Sequence, residues 1–455
     1  MKLDPVIFRE YDIRGVWNEQ FDAAFAKTLG RAHVTFLKKY KNIDNPTLSI
    51  GHDARLSSPE IVSALSEGIR ESGGNVLRLG LITSPISYFS TFTLNVDGAF
   101  MVTGSHNPPE FNGFKISAGK STIFGQDIQK LKEIIDNHEF LNGQGKEETL
   151  DIFPSYLSRY KEEFKKIKNI PIVLDCGNGA AGCIVRQLFE SVGLTPTILF
   201  EKPDGHFPNH HPDPTVEKNL QHLIQAVKEN QAVVGIGFDG DADRIGIVDH
   251  TGRMIYGDEL MCLCATAVLK TAENKTIIGD VKCSDRMFDF IERAGGKPLM
   301  WKTGHSLIKQ KIKDEHAPFG GEMSGHIFFA DRNYGYDDAL YAALRVVEIL
   351  AQTGKTIPEL LEDLPPAFNT PELRIDTTEE KKHTIVQRLK DEFSQPSDEY
   401  SVNLIDGIRV SFPSGWALAR ASNTQPVLVL RFEADTKENL NKIQKRFEDI
   451  VNPML

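Results

Sequence analysis

The chain has 455 residues, of which 40% are hydrophobic and 25% charged, and a formal net charge of -11. That length exceeds what one hydrophobic core usually supports, so on the order of two to four domains is expected. The acidic balance and the lack of a long Lys/Arg cluster argue against a nucleic-acid surface. No apolar run reaches membrane-spanning length, and "MKLDPVIFREYDIRG" sets Asp4 and Arg9 where a signal peptide needs its apolar segment. A cytoplasmic location with no membrane partner is therefore expected.

In chain order, "TLSIGHDARLSSPEIVSALSEGI" reads as a short buried strand, a turn and an amphipathic helix. The segments "IPIVLDCGNGAAGCIVRQLFESVG" and "KTIIGDVKCSDRMFDFIERAGG" repeat that reading, and the three helices end near Gly73, Gly193 and Gly295. A second apolar strand follows each helix: "NVLRLGLIT", "TPTILFE" and "KPLMWKTG". A third then leads into a polar, glycine-containing motif: "GAFMVTGSHNP", "AVVGIGFDGDADR" and "APFGGEMSGH". Three such units predict mixed, mostly parallel sheets covered by helices, with ligands beyond the carboxyl ends of the strands. The tail, behind the proline-rich "LPPAFNTPEL", alternates strands and helices differently and is expected to be a smaller α+β domain. The expected divisions are 1–150, 151–255, 256–365 and 366–455. The run "RYKEEFKKIK" reads as a solvated helix face. Five cysteines, Cys176, Cys183, Cys262, Cys264 and Cys283, contain no C-x-x-C and read as core thiols.

The strongest chemical signal is "GFDGDADR". Asp239, Asp241 and Asp243 alternate, so a tight turn points three carboxylates at one hard cation. A calcium loop of the helix-loop-helix type fails, because its sixth and twelfth positions here are Arg244 and His250 instead of Gly and Glu. All-oxygen donors favour magnesium over zinc, and Arg244 stands ready for an anion beside the metal. In "TGSHNPP" the proline pair holds Ser105, His106 and Asn107 in a loop. The second glycine of a G-x-S-x-G elbow is missing, so a serine facing a magnesium site suggests phosphoryl chemistry rather than acyl transfer. Lys115 of "NGFK" is placed to serve the same site. The histidines of "HFPNHHPDPTVEKN", His206, His210 and His211, leave a transition-metal site open.

The motifs "FREYDIRG", "TGSHNP", "NGFK", "DGDADR", "GEMSGH" and "RASNTQPVLVLRFEA", in that order, resemble the α-D-phosphohexomutase superfamily, and within it the bacterial phosphomannomutase/phosphoglucomutase branch. The resemblance spans nearly the whole chain. It implies three similar α/β domains and a smaller fourth around a central cleft, with a reaction that interconverts hexose 1-phosphate and hexose 6-phosphate. Ser105 would carry the phosphate, Asp239, Asp241 and Asp243 with a phosphate oxygen on Ser105 would hold Mg2+, and Arg14, Lys115 and Arg244 would line the reacting phosphate. His326 would move a proton or position substrate. Tyr11, Lys282, His305, Glu322 and Ser324 would meet the sugar, and Arg420, Ser422, Asn423 and Thr424 would clamp the non-reacting phosphate. Hexose 1,6-bisphosphate would be intermediate or activator, the partners phosphosugars alone, and the assembly a monomer or weak homo-oligomer. The resemblance also makes the histidine-rich segment a loop beside the active site. One departure is Gly104, where the family usually has alanine, and glycine is expected to loosen the loop. Two other reactions stay open: a phosphoglucosamine mutase, against which Met323 argues mildly, and a magnesium-dependent phosphatase using the same serine.

Overall fold

The computed structural model describes residues 2–422 and 426–455. Three of its four sheets repeat one connectivity. In the first, strand Thr47–His52 lies between Asn75–Leu81 and Gly98–Val102, both parallel to it, with helices Ser58–Glu71 and Ser84–Thr93 as crossovers. In the second, Ile172–Asp175 lies parallel between Thr197–Leu199 and Val234–Phe238. In the third, Thr276–Asp280 lies parallel between Lys297–Trp301 and Phe319–Gly321. Each third strand then turns back into an antiparallel partner: Phe111–Ala118, Ile245–Asp249 or Ile327–Phe329. The three polar motifs sit on or beside these reversals, at the carboxyl ends of the parallel strands.

The repeat has a local cause. Gly73, Gly193 and Gly295, which follow the first helix of each unit, all adopt left-handed φ, at +89°, +87° and +84°. That conformation ends a helix at little cost only for glycine, and it releases the chain into the second strand.

The fourth sheet is antiparallel throughout, in the order Phe368–Asn369, Val427–Ala434, Gly415–Ala421, Ile408–Phe412, Ser401–Asn403. Helices Glu379–Glu392 and Lys437–Val451 cover one face of it. The first and fourth sheets enclose cores of their own. The second and third share a core, into which the almost wholly buried helix Ala339–Thr353 is driven. Among the described residues, no helix is long and apolar enough to cross a membrane.

One expectation needs correcting. The charged run from Arg159 is not a continuous solvated helix face, because its helix, Phe153–Glu163, ends at Glu163, and Tyr160 and Phe164 are buried. The Tyr160 hydroxyl donates to Asp338 Oδ2 at 2.8 Å, which ties this helix to the third unit. The alternation of aromatic and charged residues is what hid that buried stripe. Of the cysteines, Cys176, Cys262, Cys264 and Cys283 are buried and Cys183 is partly so.

Candidate active site

The loop after Gly98–Val102 presents Ser105 with a φ of +48°, a left-handed conformation unusual for serine. Its N–H donates to Thr103 Oγ1 at 2.8 Å, and its Oγ lies 2.9 Å from Asp239 Oδ2 and 3.1 Å from His106 Nδ1. Asp239 belongs to the turn joining Val234–Phe238 to Ile245–Asp249, a turn closed by Ala242 at φ +60°. Asp239, Asp241 and Asp243 are fully buried, and each offers a carboxylate oxygen within 4.8 Å of the others. The three acids expected to converge therefore do so, with the serine hydroxyl against one of them.

The charges in this cluster are unevenly answered. Lys115, on strand Phe111–Ala118, reaches Asp241 Oδ2 at 2.6 Å and also contacts Asp243 Oδ2, while the Ser84 hydroxyl donates to Asp241 Oδ2. Burial pushes the Asp241 carboxyl up, but the Lys115 ammonium outweighs it and holds the group below the usual carboxylate range. Asp239 has no such partner, and burial followed by the charges of Asp241 and Asp243 drives it well above that range. Among the described residues, Asp241 Oδ1 and Asp243 Oδ1 are buried without a hydrogen-bond partner. A hard divalent cation would answer both orphaned oxygens and the excess negative charge together, so the donor set fits one.

The third unit contributes the loop between Phe319–Gly321 and Ile327–Phe329, turned by Gly325 at φ +84°. Glu322 is buried and accepts from the Gly304 N–H at 2.6 Å, and burial raises its pKa. Ser324 is half-buried on the same loop. His326 accepts at Nε2 from Arg244 Nε–H at 2.9 Å, and its Nδ1 lies 3.1 Å from Asp337 Oδ2. With Nε2 acting as acceptor, a neutral ring carries its proton on Nδ1, facing the carboxylate. Asp243, His326 and Asp337 also form a compact donor group. Nδ1 and Asp337 Oδ2 face each other there, but among the described residues neither atom has a hydrogen-bond partner. His305 stacks on His326 with ring centroids 5.4 Å apart, and burial lowers its pKa to about 4.

Of the remaining expected residues, Tyr11, Lys282 and Arg420 have partners that tie one unit to another. Tyr11 donates its hydroxyl to Thr303 O at 2.7 Å. Arg14 donates to Asn107 Oδ1 at 2.7 Å and to Asp12. Lys282 is buried and lies 3.2 Å from Glu372 Oε2, at the entry to the fourth sheet. Arg420 donates from Nε to Asp406 Oδ2 at 3.0 Å, and the same oxygen accepts from Thr303 N at 3.1 Å. Ser422 is buried and its N–H bonds Val427 O. Asn423 and Thr424 lie outside the described residues.

Two expectations change. Gly104 does not loosen its loop, because its φ is not left-handed and a Cβ there would stand 2.5 Å from Arg55 Cζ: the missing methyl is space that a buried arginine fills. The histidine-rich segment assembles no metal group among the described residues. Instead His206 pairs with Asp204 and His210 with Asp175. Sequence reasoning passed over Asp53, Arg55, Ser84, Asp337 and Asp406. The acidic pair in "YGYDDAL" was a usable signal for Asp337, and the aspartate of "GHDARLSS" for Asp53.

Four family models match the chain in order. They are phosphoglucomutase/phosphomannomutase alpha/beta/alpha domain I at residues 5–142, domain II at 154–252, domain III at 256–368, and the C-terminal domain at 372–450. A phosphomannomutase/phosphoglucomutase of Pseudomonas aeruginosa is 43% identical over 447 residues, covering 98% of this chain and 96% of that protein. A phosphoglucomutase of Neisseria gonorrhoeae is 41% identical, covering 99% and 98%. A solved phosphoglucomutase/phosphomannomutase family protein of Burkholderia thailandensis superposes with a TM-score of 0.91 at 40% identity, covering 99% of this chain and 98% of that one. Near-complete coverage at this identity joins an acidic turn that fits a cation, a buried serine and four matched domains in one assignment: the chain belongs to the phosphoglucomutase/phosphomannomutase family.

Proposed function

We propose that this phosphohexomutase interconverts the 1- and 6-phosphates of mannose and glucose through a phosphorylated Ser105 and a bound hexose 1,6-bisphosphate. The observation that carries the reading is the 2.9 Å contact of Ser105 Oγ with Asp239, inside a buried carboxylate cluster that fits a divalent cation.

In the forward half-reaction the Oγ–P bond of phosphoserine breaks as a bond forms between phosphorus and the free hydroxyl oxygen of the sugar monophosphate. The hydroxyl proton passes to Nε2 of His326, the ring atom whose lone pair the Arg244 hydrogen bond marks. Arg244 then serves the transferring phosphate, because a guanidinium matches phosphate oxygens better than an imidazole lone pair. Asp239, Asp241 and Asp243, with a phosphate oxygen on Ser105, would hold Mg2+, which supplies polarisation and charge neutralisation at the phosphoryl group. The bisphosphate turns around and returns its other phosphate to Ser105 Oγ, and His326 gives the proton back to the sugar oxygen.

Specificity for a sugar bisphosphate comes from two further groups. Arg420 would grip the phosphate that is not reacting, in either orientation of the ligand. Glu322, with two carboxylate oxygens facing adjacent hydroxyls, would accept either epimer at one of them. A phosphatase gains little from gripping a distant second phosphate, which favours the mutase.

The test is a coupled assay with magnesium, offering mannose 1-phosphate, glucose 1-phosphate and glucosamine 1-phosphate separately while free phosphate is followed. Formation of 6-phosphates without free phosphate supports the mutase, and the rate ratio ranks the sugars. Free phosphate as the main product overturns it.

A further inference from the structure

Arg55 is fully buried beneath the Ser105 loop. One guanidinium nitrogen, Nη2, donates to the carbonyls of Ser105 and Asn107; the other, Nη1, donates to those of Pro108 and Phe111. Nε donates to Asp53 Oδ2 at 3.1 Å, and that oxygen also accepts from Thr103 Oγ1 at 2.8 Å and Gly104 N at 3.2 Å. Asp53 Oδ1 in turn accepts from the Arg55 N–H and the Ser58 hydroxyl. The pair thus binds the loop's backbone from both sides, carbonyls on the arginine and donors on the aspartate. These bonds surround a residue, Ser105, whose left-handed φ has to be imposed by its surroundings.

The second unit closes over this arrangement. Phe207 packs its ring 5.3 Å from the Arg55 guanidinium carbon, and a Cβ on Gly205 would stand 2.6 Å from Ala54 O. The histidine-rich segment therefore covers the back of the arginine.

We propose that Arg55 is a positioning residue for phosphoryl transfer: its guanidinium is the template on which the Ser105 loop is folded, and the segment around Phe207 is its cover. This rests on the reading of Ser105 as the phosphorylated residue. Lysine cannot replace the arginine, because one ammonium has no planar fork with which to span four carbonyls. The loss falls on the rate and not on sugar binding, since Arg55 touches neither substrate nor cation.

The experiment compares wild type, Arg55→Lys, Arg55→Ala and Phe207→Leu in steady-state kinetics and in amide hydrogen exchange over residues 101–112. Arg55→Lys is expected to lower kcat by about 10²-fold with KM within about threefold, since misplacement of a reacting group by about 1 Å costs on that order. Amides of the 103–112 loop exchange faster in the same variant. Methylguanidinium added to Arg55→Ala is expected to restore kcat at least about tenfold and to slow that exchange again, by refilling the cavity with the same fork. Phe207→Leu gives a smaller change of both kinds. If Arg55→Ala does not fold, Arg55→Lys and Phe207→Leu decide. A kcat in Arg55→Lys within about threefold of wild type, or a loss of kcat with unchanged loop exchange, overturns the proposal. Loop exchange is read without turnover. A wild type that lacks mutase activity while Arg55→Lys loosens the loop overturns the proposed function and leaves the template standing.

Discussion

Arg244, at the end of the aspartate turn, donates its Nε–H to Nε2 of His326, on the loop of the third unit, at 2.9 Å. The bond crosses from the second sheet to the third and does two things. It holds Nε2 of the imidazole as an acceptor, and it occupies the arginine that a phosphate would claim. Arrival of a phosphate would uncover the base.

Replacing His326 with glutamine keeps a hydrogen-bonding group there but removes the basic nitrogen. His326→Gln is expected to lower kcat by about 10²- to 10³-fold, the usual worth of a positioned acid-base group, with KM changed far less. Steady-state kinetics with glucose 1-phosphate checks it. A kcat near wild type would remove His326 from proton transfer.

The acidic turn predicts a metal dependence. Treatment with a chelator should abolish turnover, and magnesium should restore it. Asp243→Asn should raise the magnesium concentration for half-maximal rate by about tenfold or more, because it removes one of three charged donors. Magnesium should also raise the thermal midpoint of wild type, since a ligand at about a hundred times its Kd stabilises the native state by about 2.7 kcal/mol. A midpoint indifferent to magnesium in wild type would argue against this turn as the cation site.

Much of this site was legible because its chemistry is local in sequence. Asp239, Asp241 and Asp243 lie within five positions, and a turn after an apolar strand brings them together whatever else the chain does. The three-unit repeat was legible for a similar reason: Gly73, Gly193 and Gly295 mark helix ends through a backbone preference that belongs to glycine itself. Arg55 and Asp406 were not legible. Their partners stand about 50 and 100 residues away, at Ser105 and Thr303, and an isolated charged residue gives no sign that it will be buried. Gly104 was misread because sequence shows glycine's freedom but not the side chain that fills the space it leaves.

Asp406 couples Arg420, the proposed phosphate clamp, to the third unit, since a single oxygen accepts from Arg420 and from Thr303 N. Asp406→Ala should leave Arg420 without its anchor and weaken sugar-phosphate binding about tenfold, the order expected for a lost hydrogen bond to a charged group. The change should be greater in KM than in kcat. Equal losses in both would place Asp406 in the chemical step instead.

Stability should depend on pH through His33. It is buried on helix Ala23–Lys41 with Nε2 3.2 Å from Ser117 O, and burial lowers its pKa from 6.5 to about 4. Between those values the unfolded chain takes up a proton that the folded chain refuses, so stability falls as pH falls through that window. From about pH 7.5 to about pH 5 the contribution lost is about 2 kcal/mol. Asp338 acts in the opposite sense, because burial raises its pKa to about 6 and the folded chain keeps that proton as pH drops. His33→Gln isolates the histidine: urea unfolding across this range should lose about that much less stability on acidification than wild type does. The same acid loss in both proteins would assign it to other groups.

Gly240 stands between Asp239 and Asp241, and a Cβ built on it would lie 2.3 Å from the carbonyl oxygen of Ser105. Its φ is not left-handed, so Gly240→Ala puts no strain on its own backbone, and the whole effect is the close approach of two loops from different sheets. The neighbour is a backbone oxygen held by Arg55 Nη2 at 2.8 Å, which cannot turn aside as a flexible side chain would. Something must separate, and the contact with least holding it is the 2.9 Å one between Ser105 Oγ and Asp239. A displacement of that order between phosphoryl donor and cation site should cost about 10²-fold in kcat. The thermal midpoint should fall by only about 1 °C, corresponding to about 1 kcal/mol in a protein of this size. Kinetics and a melting curve on the same preparation separate the two. Near-normal kcat would mean that the two loops do not approach this closely during turnover, and a collapsed midpoint would mean that the contact serves the fold before it serves the reaction.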